Sequence, residues 1–167
     1  MGTDLIMRAH IAAMLDALSQ DPIWLGWCRE HLGAFPAVAF EPELPLEGVP
    51  DESYPFVWLY DARSFGPGSF VVELAVGVID EIGHVRDLRA SVLDGADVEV
   101  RSEYCAGLLL ALDTWQAAAN CLYRLPFGVQ NADGESGSAV LHPYYEAWGS
   151  VSADWTPSTR KPLGWKP

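Results

Sequence analysis

The chain has 167 residues, of which 50% are hydrophobic, and its 10 lysine and arginine residues face 23 aspartate and glutamate residues, for a net charge of −13. This length and apolar content predict one domain with a true core. The acidic balance argues against a protein that grips nucleic acid through its phosphates, because such binding draws on lysine and arginine side chains.

The three cysteines, Cys28, Cys105 and Cys121, are too few and too far apart for a disulfide framework. None belongs to a CxxC pair, so a zinc site of the usual spacing is not predicted. Charged residues interrupt the first 18 residues, which predicts neither a signal peptide nor a membrane span. These features together favour a soluble protein of a reducing, cytosolic compartment without a membrane partner.

The first part of the chain predicts a helix, a second short element and a strand. The helix is indicated by apolar residues at three- and four-residue spacing, namely Met7, Ile11, Met14, Leu15 and Leu18. Thr3 is placed to start it, and Asp21-Pro22 to end it. The following "IWLGWCREHLG" is a second short helix or an irregular connection that stops at Gly33. "AVAFEPE" predicts a short strand.

Residues 41–53 form an acidic, proline-rich segment without periodicity, which predicts a surface loop. A disordered interdomain linker is the alternative, but the 40 residues before it make a poor independent domain. Asp51 and Glu52 in this loop are candidate interface residues.

The stretch from residue 54 to residue 83 predicts two strands joined by a Gly-Pro-Gly turn. In the second strand Phe70 and every second residue to Val78 face one way. The opposite face is small and weakly polar, with Glu73 as its lone acid, so we expect a helix or a neighbouring subunit to cover it. Glu73 is therefore a candidate interface residue.

The remaining chain predicts loops, one helix and one strand. Residues 83–104 indicate a loop with mixed short elements, and residues 126–138 a loop. The helix has a predicted buried stripe of Leu108, Leu112, Trp115, Ala119 and Leu122. "HPYYEAWGSVSADWT" alternates like a final strand with one wet face, beside which Trp148 is a candidate contact because aromatic residues are enriched at interfaces.

The order of elements predicts an α+β fold, a mainly antiparallel β-sheet with two main helices packed on one face. We expect residues 1–157 to form its single domain. Residues 158–167 are predicted to form a flexible tail with three of the ten basic residues, including the candidate contacts Arg160 and Lys161.

No pattern in the chain demands catalysis. The glycine-rich stretches lack the spacing of phosphate-binding loops, and no serine or cysteine lies in a known nucleophile motif. Two weak clusters remain as the site of a small-ligand-binding or enzymatic domain: Asp80, Glu81 and His84 after the second strand, and Cys28 with His31. No catalytic residue, metal or cofactor is predicted. A third alternative is an acidic adaptor that neutralises a basic partner.

The element order, with "YPFVWLYDAR", "FVVELAVGVIDE", "LLLALDTWQAAANCLY" and the "HPYY" entry into "EAWGSVSADW", resembles the tail-terminator proteins of long-tailed bacteriophages. The resemblance covers roughly residues 5–156. It implies a structural virion protein that is not an enzyme and has no cofactor. It also implies a hexameric ring that caps the tail tube, contacts the major tail tube protein and a head-completion or connector protein, and lets DNA pass through its lumen.

Overall fold

The structure, a computed structural model, describes residues 3–41, 48–64, 66, 68–81, 84–93, 96–132, 134 and 136–154. These residues form three α-helices and eight β-strands in the order α1 Thr3–Gln20, α2 Pro22–His31, β1 Ala37–Glu41, β2 Phe56–Ser64, β3 Ser69–Ile79, β4 His84–Leu93, β5 Ala96–Cys105, α3 Ala106–Tyr123, β6 Gly128–Asn131, β7 Gly137–Leu141 and β8 Tyr144–Asp154. A short 3-10 turn spans Asp51–Ser53, whereas residues 42–47 of the predicted acidic loop lie outside the described residues.

Six of the strands form one mixed, mostly antiparallel sheet in the order β1-β2-β3-β8-β6, with β7 also paired to β8. Only the β1–β2 pair in this sheet is parallel. The α+β fold class predicted from the sequence is therefore confirmed. The last strand, β8, lies inside the sheet between β3 and the pair β6 and β7.

The helices lie on one face of this sheet and form the core with it. The strands contribute the alternate side chains that the sequence pattern predicted for β3, beginning with Phe70 and ending with Val78. Helix α1 contributes Ile11, Met14 and Leu18, which are all at most 6% exposed. Each large apolar side chain buried in this way contributes about 1.5–3 kcal/mol of transfer free energy.

Of the two possibilities for "IWLGWCREHLG", the helix is the one observed. The Asp21 side chain caps α2 by accepting a 2.8 Å hydrogen bond from the Trp24 amide, and Pro22 occupies the first turn. The Trp24 indole donates to the Leu18 carbonyl at 2.8 Å, and Arg124 forms an ion pair with Asp21. These contacts hold α2 against the ends of α1 and α3.

Two predictions for the loop regions are wrong. The region expected to contain loops and mixed elements is a regular antiparallel hairpin, β4 with β5, in which Leu93 pairs with Ala96. The sequence between these two partners is Asp94-Gly95, a dipeptide that favours hairpins. The expected loop 126–138 contains β6 and the start of β7.

The predicted buried stripe of α3 is partly wrong. Leu112 is 44% exposed, and Leu108 and Trp115 are half-buried. The buried side of the helix consists mainly of small residues, namely Gly107, Ala111, Thr114, Ala118, Ala119, Cys121 and Leu122. Small residues occupy these positions because they let the axis of α3 approach the sheet closely.

Candidate functional site

The sheet face opposite the helices carries a layer of aromatic and polar side chains, here called the open face. It is formed by alternate residues of the three central strands: Phe56, Trp58 and Tyr60 of β2; Val71, Glu73, Ala75 and Gly77 of β3; and Tyr144, Glu146, Trp148, Ser150 and Ser152 of β8. None of its aromatic side chains belongs to the core between helices and sheet, and no described helix packs on it. The expectation that a helix covers this face therefore finds no support among the described residues.

Four aromatic rings form a continuous cluster at one end of the open face. Tyr54 lies 4.9 Å from both Phe56 and Tyr144, and Phe56 lies 5.0 Å from Trp58, measured between ring centroids. The cluster lies over Gly77, where a Cβ atom would come within 2.1 Å of the Phe56 ring. Phe56 is only 1% exposed, whereas Trp58 is half-buried and presents part of its ring to solvent.

Glu73 is held at the middle of the open face by two neighbours. It accepts hydrogen bonds of 2.7 and 2.8 Å from the Ser150 hydroxyl, and Arg63 lies 3.0 Å from its carboxylate. Arg63 reaches this face because an extra residue between Tyr60 and Arg63 shifts the register of β2 against β3. Glu73 is therefore an oriented carboxylate with a 13% exposed side chain.

A second carboxylate, Glu146, lies beside the aromatic cluster. It accepts a hydrogen bond from the Tyr54 hydroxyl, and within the described part of the chain no cationic side chain pairs with it. Burial and the neighbouring Glu146 both raise the pKa of Tyr54. This end of the open face thus combines an apolar surface with negative charge.

The charge extends to the 3-10 turn beside the cluster. Asp51 and Glu52 are exposed there, close enough to Tyr144 for their carboxylates to act on its pKa. The pKa of Tyr144 is raised by desolvation, then by the carboxylates of Asp51, Glu81 and Glu52. Desolvation and nearby carboxylates, Glu73 first, raise the pKa of Tyr60 to about 12. A negative potential therefore spans the open face.

A cleft of about 430 Å³ opens where the edge of the sheet is interrupted. Strands β6 and β7 pair with opposite ends of β8. Gly149 and Ser150, in the middle of β8, therefore have no partner residue in either of these two strands. Trp148 bounds the cleft on the open face and lies over Gly137; Trp115 of α3 bounds it on the helix side. Among its described lining residues none is charged.

The structure brings together most of the sequence-predicted interface residues. Glu73 and Trp148 share the open face, and Asp51 and Glu52 lie at its aromatic end, whereas Arg160 and Lys161 lie outside the described residues. The sequence prediction missed the Tyr54–Glu146 pair and the aromatic cluster. The alternation of aromatic residues at 56, 58 and 60 was the signal that could have found the cluster.

The structure adds little support for a ligand-binding or catalytic role of the two weak clusters predicted from the sequence, Cys28 with His31 and Asp80, Glu81 and His84. The Cys28 thiol is fully buried, and burial raises its pKa to about 12, so it stays protonated at neutral pH. His31 is exposed and stacks on Trp27, one turn away. The side chain of His84 lies outside the described part of the structure, within which no group of three or more potential metal ligands occurs.

No described helix is both long and apolar enough to cross a membrane. Comparison of the chain with protein-family models, with curated proteins and with solved structures found no match. The open face and the cleft at its edge are therefore the features from which a function is argued.

Proposed function

We propose that this chain is a structural assembly protein, a subunit of a hexameric ring that caps the tail tube of a long-tailed bacteriophage. In that role it ends tube polymerisation and offers the surface for head–tail joining. The observation that carries the proposal is the open face, whose half-buried aromatic and acidic side chains no described helix covers. Surfaces of this kind are typical of protein–protein contacts.

A closed ring needs two different surfaces on each subunit, because one side of a subunit meets another side of the next. The open face supplies the first. The outer edge of β7 supplies a candidate for the second, since Val140 is 47% and Leu141 is 74% exposed there. An unpaired strand edge with apolar side chains favours association with a neighbouring chain.

The net charge of −13 per subunit supports a lumen through which DNA slides. Acidic walls repel the phosphate backbone and do not retain it. The partners in this proposal are further copies of the chain, the major tail tube protein and the head-completion or connector protein. The protein then belongs to the virion, in the tail or neck, after assembly in the host cytoplasm.

Mass in solution tests the ring directly, by light scattering on a sizing column over a range of protein and salt concentrations. We expect a hexamer-sized species or a concentration-dependent rise toward one, with a channel visible by electron microscopy. Trp58→Arg should shift the population to monomers, because it places a charge on the open face. Ile23→Arg is the matched control, since Ile23 is 65% exposed on the helical side.

The tube-capping role has a test of its own. The tail tube protein of the same phage should polymerise to shorter tubes when the chain is added, and Trp58→Arg should restore their length. Tubes of unchanged length, with the chain absent from their ends, would contradict the capping role. A monomer that binds neither itself nor a tube would contradict the ring as well.

The cleft favours a second function, the binding of a small neutral ligand. It is walled by Trp115 and Trp148, and Ser136, Ser138 and Ser150 offer hydroxyl groups to a ligand there. A thermal-shift screen of neutral polyols and saccharides tests this function. A shift that Trp148→Ala abolishes would favour it over the assembly role, because ring formation needs no small molecule.

A further inference from the structure

Positive charge is distributed very unevenly along the chain. Residues 155–167 contain Arg160, Lys161 and Lys166, which include both lysines of the protein, and they contain no acidic residue. The remaining 154 residues hold the other 7 of the 10 basic residues and all 23 acidic residues. This segment, here called the basic segment, is thus opposite in charge to the domain it follows.

We propose that the basic segment docks on the open face of its own chain, with Arg160 and Lys161 toward the carboxylate of Glu73 and Lys166 toward that of Glu146. The open face offers what such a segment needs. Glu146 has the Tyr54 hydroxyl as its only hydrogen-bond partner among the described residues, and Asp51 and Glu52 are exposed close by. Among the described side chains, cations that approach this face meet several carboxylates and the arginine Arg63.

The apolar composition of the basic segment also matches the open face. The segment contains Trp155 and Trp165 together with three prolines, and the face presents the partly exposed rings of Trp58, Tyr60 and Trp148. Proline-rich segments dock on aromatic surfaces at a low cost in conformational entropy. Arginine and lysine side chains add cation–π contacts over such rings.

The connection between strand and segment favours docking within one chain. Strand β8 ends at Asp154, opposite Ser69 and at the margin of the open face. Glu146 lies eight residues back along the same strand, a distance of about 26 Å. Thr156-Pro157-Ser158-Thr159 has the composition of a reversing turn, and the eight residues that follow it span at most about 26–29 Å when extended, which is enough to run back along β8 as far as Glu146.

A short connection also raises the local concentration of the basic segment at the open face to the millimolar range. A second copy or another protein must compete with this effective concentration. We therefore assign the segment to its own chain in the isolated subunit.

Carbodiimide crosslinking tests the proposal with unusual clarity, because it joins amines to carboxylates without a spacer and the chain has only Lys161 and Lys166 as side-chain amines. On the dilute protein we expect peptides that join these lysines to Glu73, Glu146, Asp51 or Glu52. Glu30 and Asp113 are exposed on the helical layer and serve as internal controls that should not react. Crosslinks spread evenly over both groups would overturn the proposal.

The same experiment on a mixture of isotopically light and heavy protein shows whether the segment docks on its own chain or on a second copy. Docking within one chain gives crosslinked peptides that are both light or both heavy. Pairs of one light and one heavy peptide would show the segment of a second copy and would overturn the assignment. The crosslinks should weaken at about 1 M salt, where the Debye length falls to about 3 Å.

A shortened chain that ends at Asp154 gives a second readout. Hydroxyl-radical oxidation of Trp58, Tyr60 and Trp148 should be several-fold faster in the shortened chain than in the full chain. Trp27, half-buried on the helical side, should react equally in both. Equal oxidation of the open face in two folded proteins would contradict docking, and circular dichroism verifies that both are folded.

Discussion

At Gly77, Gly107 and Gly149 an aromatic ring lies directly against the backbone of a neighbouring element. A Cβ atom at Gly77 would meet the Phe56 ring, one at Gly107 the Tyr145 ring, and one at Gly149 the Trp115 ring. The last two rings lie between α3 and β8 in the core, whereas the first lies on the open face. Glycine at these positions thus lets aromatic rings pack directly against the backbone on both faces of the sheet.

Gly107→Ala should destabilise the protein although alanine is the better helix former. The new Cβ atom would lie 2.2 Å from the Tyr145 ring, and Tyr145 is fully buried. Overpacking of this kind costs about 1–3 kcal/mol. Denaturant unfolding should therefore show a lower midpoint for the variant.

Gly26→Ala is the matched control, since Gly26 is exposed in α2 and no atom lies within 4 Å of its Cβ position. This variant should gain about 0.5–1 kcal/mol from helix propensity alone. A gain at both positions would mean that Tyr145 moves aside without cost.

The stability of the protein should depend on pH in the alkaline range, because two thiols that are protonated at neutral pH are buried in the folded chain. Burial, followed by the neighbouring Cys121 thiol, raises the pKa of Cys28 from 9.0 to about 12, and burial, followed by the charge of Asp21, raises that of Cys121 to about 12. Between these values the unfolded chain loses protons that the folded chain keeps, so stability falls as pH rises. The contribution is complete below about pH 9.

Unfolding midpoints measured from pH 7 to pH 11 should therefore fall above about pH 9. Replacement of both thiols, as Cys28→Ala with Cys121→Ala, should reduce the steepness of this fall. A remaining slope is expected from Tyr60, whose pKa is also raised to about 12. An unchanged slope in the double variant would contradict the burial of the thiols.

At the scale of elements, sequence periodicity identified the side of β3 that faces the core, but it misplaced the side of α3 that does. The alternation from Phe70 to Val78 identified the core side of β3 correctly. The stripe of α3 was misplaced because large apolar residues such as Leu112 were assumed to point inward, whereas close approach to the sheet selected Ala111 and Ala118. The hairpin β4–β5 was missed because its two-residue Asp94-Gly95 signal was not used.

Trp115 ties α3 to the sheet through one hydrogen bond. Its indole donates to the Leu74 carbonyl of β3 at 2.8 Å. Trp115→Phe removes this donor and part of the buried ring, so we expect a loss of about 1–3 kcal/mol in unfolding free energy. Trp27→Phe is the control, because Trp27 is also half-buried but its indole makes no hydrogen bond within the described chain. An equal loss of unfolding free energy in both variants would show that only the volume of the ring matters.

For the whole molecule, the sequence indicated the fold class but not the arrangement that creates the open face. The alternating patterns of β3 and β8 placed Glu73 and Trp148 on polar faces. Nothing local showed that these strands pair with each other, so that Glu73 lies opposite Ser150 and Ala75 opposite Trp148. Pairing over about 75 residues of chain is decided by the packing of the complete core, which local periodicity does not encode.

The two proposals together predict how the whole molecule responds to loss of the basic segment. If the open face is the ring contact and the segment occupies it in the isolated subunit, a chain that ends at Asp154 should assemble at lower protein concentration than the full chain. High salt should promote assembly of the full chain, because it weakens docking of the segment and screens the repulsion between subunits of charge −13. In the shortened chain only the second effect remains, so its assembly should depend less on salt. Light scattering across a salt series measures both responses, and a shortened chain that no longer assembles would show that the segment builds the ring contact and does not compete with it.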